Sequence, residues 1–298
     1  MFRRFYSSGF RPGGSNYTYK SFTNNGYGYN WNSYRKPLVG FLALGAGFYA
    51  VNLEQVPFSH RWRFMMCPRW LEKQVGYMGY KQVMMQFGRS LLPDNHSDVR
   101  QVREVMKRLI AVSGIQDAEW EVHVIGGNNP PNAFVLPGGK VFVFQSMLPL
   151  CQDANGLAAV LSHETAHQVC RHSAESLSKS PFYLAISLAL YTMFGSAQLG
   201  DILIGMGLKL PASREMETEA DRVGVMMMAK ACFQPDAAVA FWQRMLAMEK
   251  RKGEWAPELL STHPASSRRI ENIKQELPEA RQILQESCGG GFNVWGFR

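Results

Sequence analysis

The stretch Leu161-Ser-His-Glu-Thr-Ala-His167 restricts the fold more than any other in the 298 residues. Positions four apart share one face of an α-helix, so a helical reading aims the imidazoles of His163 and His167 at a single point. Glu164 then stands on the adjoining face. Two imidazoles aimed together are the beginning of a zinc site, and a catalytic zinc takes three protein ligands and keeps a fourth position open. Glu164 is placed to reach a water at the metal rather than the metal itself, and to take its proton. Two ordinary helix histidines would leave the same pattern, so the motif requires a third ligand from elsewhere in the chain.

That donor stands 50 residues after His167, in Ser213-Arg-Glu-Met-Glu-Thr-Glu-Ala-Asp-Arg-Val-Gly224. Glu217, on a second helix, is the choice for the third ligand. Asp221 lies one turn further on the same face, where a carboxylate can bond the outer nitrogen of a ligand histidine and fix its tautomer. Glu215 and Glu219 fall on other faces and read as solvated charges. His172 lies off the metal face and reads as structural or surface. Arg214 and Arg268 read as charge partners of acids near the centre, with no part in catalysis.

The net charge of +8 would suggest nucleic acid were it spread over the chain, but Arg3, Arg4, Arg11, Lys20, Arg35 and Lys36 supply +6 before the first acid, Glu54. Residues 54–298 carry only +2 and offer no basic face, so no nucleic-acid partner is expected. The acid-free segment 1–37, rich in Ser, Asn, Tyr and Arg, has the composition of a mitochondrial targeting peptide. It runs into Pro37–Leu53, 17 residues without a charge. That is the short end of a bilayer-spanning helix, so 38–53 is expected to be a membrane anchor. The five cysteines form no Cys-X-X-Cys pair, an odd number leaves at least one unpaired, and partners cannot be read from their spacing.

Beyond the anchor, 54–96 reads as membrane-proximal linker and helices, the helical spacing running to Phe87. Ser97 caps an amphipathic helix carrying Val102, Val105, Met106, Leu109 and Val112. Trp120, Val122 and Val124 alternate with Glu121 and His123 as a strand. Asn132–Leu136 and Val141–Phe144, joined through Gly138-Gly139, read as a hairpin. Helices are expected over 154–178, 213–231 and 236–251, with a last one starting at Pro264. The fold class is α+β, mainly helical with a small sheet, the catalytic domain spanning 97–287 and a glycine-rich aromatic tail 288–298.

The ligands also restrict Ser180–Gly200, 21 uncharged residues that could pass for a second membrane span. A single crossing would put the two histidines and Glu217 on opposite sides of the bilayer. Two crossings need about 40 residues plus a turn, and 180–212 offers 33. This segment is expected to be a helical hairpin that shields the site or dips into one leaflet.

Taken with Asn132-Ala-Phe-Val-Leu-Pro-Gly-Gly-Lys140 and Ser261-Thr-His-Pro264, the two motifs make residues 57–276 resemble the HtpX and CAAX-prenyl-protease superfamily of membrane zinc peptidases. Within it, the chain is similar to the mitochondrial inner-membrane branch whose activity overlaps that of the m-AAA protease. The resemblance implies a zincin-like fold, one Zn2+ per subunit, and Glu217 as ligand with Asp221 beside it. It also implies that the edge strand at Asn132, Ala133 and Phe134 receives substrate, as an open strand can, and that His263 faces the centre. There His263 could donate to the oxyanion formed as water attacks the scissile carbonyl. The implied role is quality control of inner-membrane proteins, by a homo-oligomer in the lipid bilayer with its catalytic domain toward the intermembrane space. Two rivals are a prenyl-protein peptidase, which would need many membrane spans, and a non-catalytic scaffold built round a structural zinc, which would fill all four positions with protein ligands.

Overall fold

The structure is a computed structural model, and it describes residues 31–56, 59–194, 210–250 and 259–289. The chain divides into two compact units, Met1–Val51 and Asn52–Arg298. In the first, α1 spans Trp31–Val51, with Phe41, Leu42, Leu44 and Val51 exposed. It starts inside the segment expected to be targeting peptide, so Arg35, Lys36 and Pro37 dilute its apolar run. No helix among the described residues is long and apolar enough to cross a membrane. Residues 1–30, most of the targeting segment, lie outside the described residues.

The second unit opens with β1 (Leu53–Gln55) and β2 (Trp62–Phe64), an antiparallel pair in a stretch read above as linker. Strands of three residues are too short to leave an alternation in sequence. Next come α2 (Arg69–Phe87) and α3 (Ser97–Ser113). The α3 cap is His96, not Ser97: His96 Nδ1 accepts from the Asp98 amide at 3.2 Å.

A three-stranded sheet follows, from β3 (Glu121–Ile125), β4 (Ala133–Leu136) and β5 (Lys140–Phe144), in the order β3-β5-β4. The expected hairpin is β4-β5, antiparallel with Phe134 opposite Phe142, and β3 pairs β5 in parallel. Its turn has Pro137 followed by Gly138 at φ +96°, with the Gly139 amide bonded to Leu136 O, as a type II turn requires. Val124, Val135, Val141 and Val143 face the main core, while Phe142, Phe144 and Ile125 face α2. The sheet is thus covered on both faces, and β3 and β4 are its edge strands. Gly76 of α2 lies so close to the turn that a Cβ there would meet Pro137 O at 2.0 Å.

The remaining described elements are helical: α4 (Leu148–Cys151), α5 (Ala154–Val169), α6 (His172–Phe194), α7 (Leu210–Lys230), α8 (Asp236–Lys250), α9 (Leu259–Thr262) and α10 (Ser267–Cys288). The helix expected over 154–178 breaks at Cys170-Arg171, where Arg171 takes φ +53°. The last helix begins three residues later than Pro264, capped by Ser266, which accepts from the Arg269 amide. Residues 195–209, the middle of the expected hairpin, and 290–298 of the tail lie outside the described residues.

One disulfide is present, Cys232–Cys288, with 5.9 Å between its Cα atoms. It joins the turn after α7 to the end of α10 and closes a loop of 56 residues. Closing such a loop restricts the unfolded chain and typically stabilises by about 2–4 kcal/mol. The double variant Cys232→Ser, Cys288→Ser is therefore expected to melt at a lower temperature without reductant. A midpoint equal to that of the oxidised wild type would show that the bridge contributes nothing to stability.

Candidate metal centre

The centre is assembled on α5. Asp153 caps this helix, its carboxylate accepting from the Gly156 amide at 2.8 Å. Position 156 must be glycine, because a Cβ there would meet Cys151 O at 1.9 Å. From Gly156 to Ala166 every α5 residue is buried, so the helix is the central strut of the core, and its polar residues must find partners inside. Helix α7 packs directly against it. Gly224 makes the close approach possible, since a Cβ would lie 3.1 Å from the His163 backbone N. Glu217 and Asp221, seven and three residues before Gly224, therefore face His163.

The candidate ligand atoms of the two histidines and Glu217 lie together. His163 Nε2 and His167 Nε2 are 3.2 Å apart, and each is 3.4 Å from a Glu217 oxygen. Tetrahedral zinc with bonds of about 2.0–2.1 Å sets its ligand atoms roughly 3.3 Å apart. Glu217 Oε2 is buried and accepts no hydrogen bond. Three donors at these spacings, one carrying an unused buried lone pair, fit a zinc ion.

A fourth nitrogen lies in the same cluster. His263 Nδ1 is 2.8 Å from Glu217 Oε1 and 3.3 Å from His163 Nε2, so the described donor set is His163, His167, Glu217 and His263 rather than three ligands and a gap. The other edge of the His263 ring faces Glu164, with Nε2 3.5 Å from Oε1. Glu164 is outside the donor set, and its Oε1 is buried without a hydrogen bond.

Arg269 is the residue the sequence reading missed. Its guanidinium takes both oxygens of Asp221, at 2.6 and 2.8 Å, and Nη1 stands 3.2 Å from Glu217 Oε2. Nη2 is 3.0 and 3.2 Å from the two nitrogens of His163, which places it over the ring, and the group lies on Trp242 at 3.5 Å from the ring centre. Arg268, the residue named from sequence, is exposed. Asp221 also meets His163 Nδ1 at 3.1 Å.

Electrostatics show what the cluster wants. Burial and the Arg269 charge push His163 down, but Asp221 and Glu217 outweigh them and lift it to about 9, whereas burial takes His167 down to about 3. Burial would raise Glu217, yet three imidazoles hold it far below the ordinary carboxylate range. The carboxylates of Asp221 and Glu217 thus favour positive charge at this point, which a divalent cation would satisfy. Burial moves Glu164 the other way, upward.

Two further sequence expectations change. Glu219 is buried, not solvated: it accepts from His172 and Arg61, and from the Ser59 hydroxyl. His172 is likewise buried, which removes its surface reading. Both belong to a network anchored on the β1-β2 hairpin, whose short strands gave no warning of it. At the β4 edge, Asn132 Oδ1 accepts from the Ala133 amide and Gln168 Nε2 donates to Val135 O, and Phe134 is partly buried.

Residues 96–277 match the family model for peptidase family M48. The chain is 48% identical over 263 residues to the mitochondrial metalloendopeptidase OMA1 of Schizosaccharomyces pombe, covering 87% of this chain and 76% of that protein. It is 41% identical over 294 residues to the Saccharomyces cerevisiae protein of the same name, covering 91% and 84%. Against the Homo sapiens metalloendopeptidase OMA1 the identity is 31% over 272 residues, covering 84% of this chain and 51% of that longer protein.

Proposed function

The chain belongs to peptidase family M48 and is a metalloendopeptidase, and on that premise we propose that it cuts proteins of the mitochondrial inner membrane, with Glu164 as general base. The observation that carries this is the pairing of a zinc-spaced donor set with a buried, unbonded carboxylate oxygen beside it. His163, His167 and Glu217 would hold one Zn2+. When bound, zinc polarises the scissile carbonyl and brings the pKa of water to about 7. Glu164 takes the proton from the attacking water and returns it to the leaving amine. His263 would donate to the developing oxyanion; its Nδ1 stands 2.8 Å from Glu217 Oε1 within the donor set, so this role would require its ring to turn away from Glu217.

Substrate is proposed to pair with β4 at Asn132, Ala133 and Phe134, displacing the side chains of Asn132 and Gln168 from the edge. Such backbone pairing accepts many sequences. The mitochondrial reading is supported by the acid-free segment 1–37 and by the relatives' names. The intermembrane-space reading is supported by the disulfide, which calls for an oxidising compartment. Membrane contact is supported by exposed Phe182, Leu184, Ile186 and Leu188 on α6, and by the apolar residues of α1. A homo-oligomer, as the resemblance implies, completes the proposal.

The four-donor set is also what a structural zinc would take, and it is the one observation favouring a non-catalytic scaffold. Against that reading stands Glu164, whose buried free oxygen would be a pure cost in a scaffold. The test is to follow fragments of inner-membrane proteins in mitochondria carrying this chain. Fragments should vanish with a membrane-permeant chelator and return when zinc alone is resupplied. Fragments indifferent to zinc, or none under any condition, would overturn the proposal.

A further inference from the structure

The second buried cluster, Cys170, His172 and Glu219, adjoins the metal centre through His167. We propose that His172, held by Glu219, is a positioning residue that fixes the tautomer of His167 and thereby aims its Nε2 lone pair at the metal. This rests on the zinc reading above.

The argument follows the hydrogens. His172 Nε2 lies 2.8 Å from Glu219 Oε2, and an ionised carboxylate only accepts, so this nitrogen carries the hydrogen. A neutral imidazole carries one hydrogen, which leaves His172 Nδ1 as a lone pair. That lone pair faces His167 Nδ1 at 2.8 Å, and so it accepts from it. His167 is then the Nδ1–H tautomer. Its free Nε2 is the nitrogen that stands 3.2 Å from His163 Nε2 and 3.4 Å from Glu217 Oε1, within the donor set.

Glu219 cannot swing away from this duty. Arg61 donates to its Oε2 at 2.9 Å and the Ser59 hydroxyl to its Oε1. Arg61 is fixed in turn by two bonds to Glu175, at 3.0 and 2.7 Å. The turn at Arg171 returns α6 so that the His172 ring stands 4.8 Å from that of His167, nearly edge-on. The hairpin β1-β2 is thereby joined to a zinc ligand by an unbroken chain of hydrogen bonds.

The same three side chains have donor atoms close enough to hold an ion of their own. A second cation, however, would sit against the guanidinium of Arg61, which already occupies Glu219. The relay and a second metal site therefore differ in metal count.

The experiment uses the full chain, stripped of metal and titrated with zinc against a chromophoric chelator. Wild type should bind one zinc. His172→Phe keeps a ring but loses both bonds, and it is expected to weaken zinc binding 10–100-fold, the usual effect of removing a ligand's hydrogen-bond partner. His172→Gln can turn its carbonyl to His167 and its amide N–H to Glu219, and should recover most of that loss. A merely structural His172 would lower the melting temperature of the zinc-free protein without separating the two variants in zinc affinity. Equal affinities for Phe, Gln and wild type would overturn the relay, as would equal loss in both variants, or two zinc ions per wild-type chain. If His172→Phe does not fold, His172→Leu, which also loses both bonds, takes its place: weaker zinc binding than His172→Gln supports the relay and equal affinity sinks it. A wild type that binds no zinc would instead refute the metal site itself.

Discussion

Glu164→Gln is expected to retain one zinc and to lose turnover by about 10²–10⁴-fold, the range for removing a general base. Glu164 lies on α5 between the two ligand histidines, yet none of its atoms is in the donor set, so the amide should leave the metal in place. The amide has the shape of the carboxylate and cannot take a proton. Both its buried surroundings and its neighbour His263 Nε2, 3.5 Å away, accept an uncharged group without rearrangement. Metal analysis and single-turnover cleavage on the same preparation separate the readings. Full turnover in the variant would show that Glu164 is not the general base, no turnover in either protein would favour the scaffold, and loss of zinc would make Glu164 a ligand.

The parts of the site legible in sequence are those set by one helix or by one helix face. His163, Glu164 and His167 follow from four-residue spacing, and Glu217 and Asp221 from the same rule on α7, whose close approach Gly224 then permits. What the spacing could not carry is a change of direction. The turn at Arg171 resets the helix, so His172, correctly placed off the metal face of α5, returns from α6 to bond the outer nitrogen of His167. Glu219 was misread for the same reason, its partners arriving from α6 and from the segment between β1 and β2. The choice of Arg268 over Arg269 was an error of helix phase. A signal was available: Arg269 precedes Ile273 by four and Leu277 by eight, on the buried stripe of α10.

Arg269 carries the second large expectation. Arg269→Met should lower stability by about 3–5 kcal/mol, the usual cost of stripping one partner from a buried ion pair. In a domain of this size that is a fall of roughly 6–20 °C in melting temperature. Asp221 is almost wholly buried and takes two bonds from the guanidinium, so the variant leaves a desolvated carboxylate with only His163 Nδ1. Arg269→Lys should rescue little. One ammonium cannot bond both Asp221 oxygens, stand beside Glu217 and lie flat on Trp242, as the planar fork does. The double variant Asp221→Asn, Arg269→Met removes the orphaned charge and should recover part of the lost stability, measured by thermal melts of the zinc-free protein. If Lys restores the wild-type midpoint, the guanidinium serves only as a positive charge, and its geometry is irrelevant to holding α10 against the metal helices.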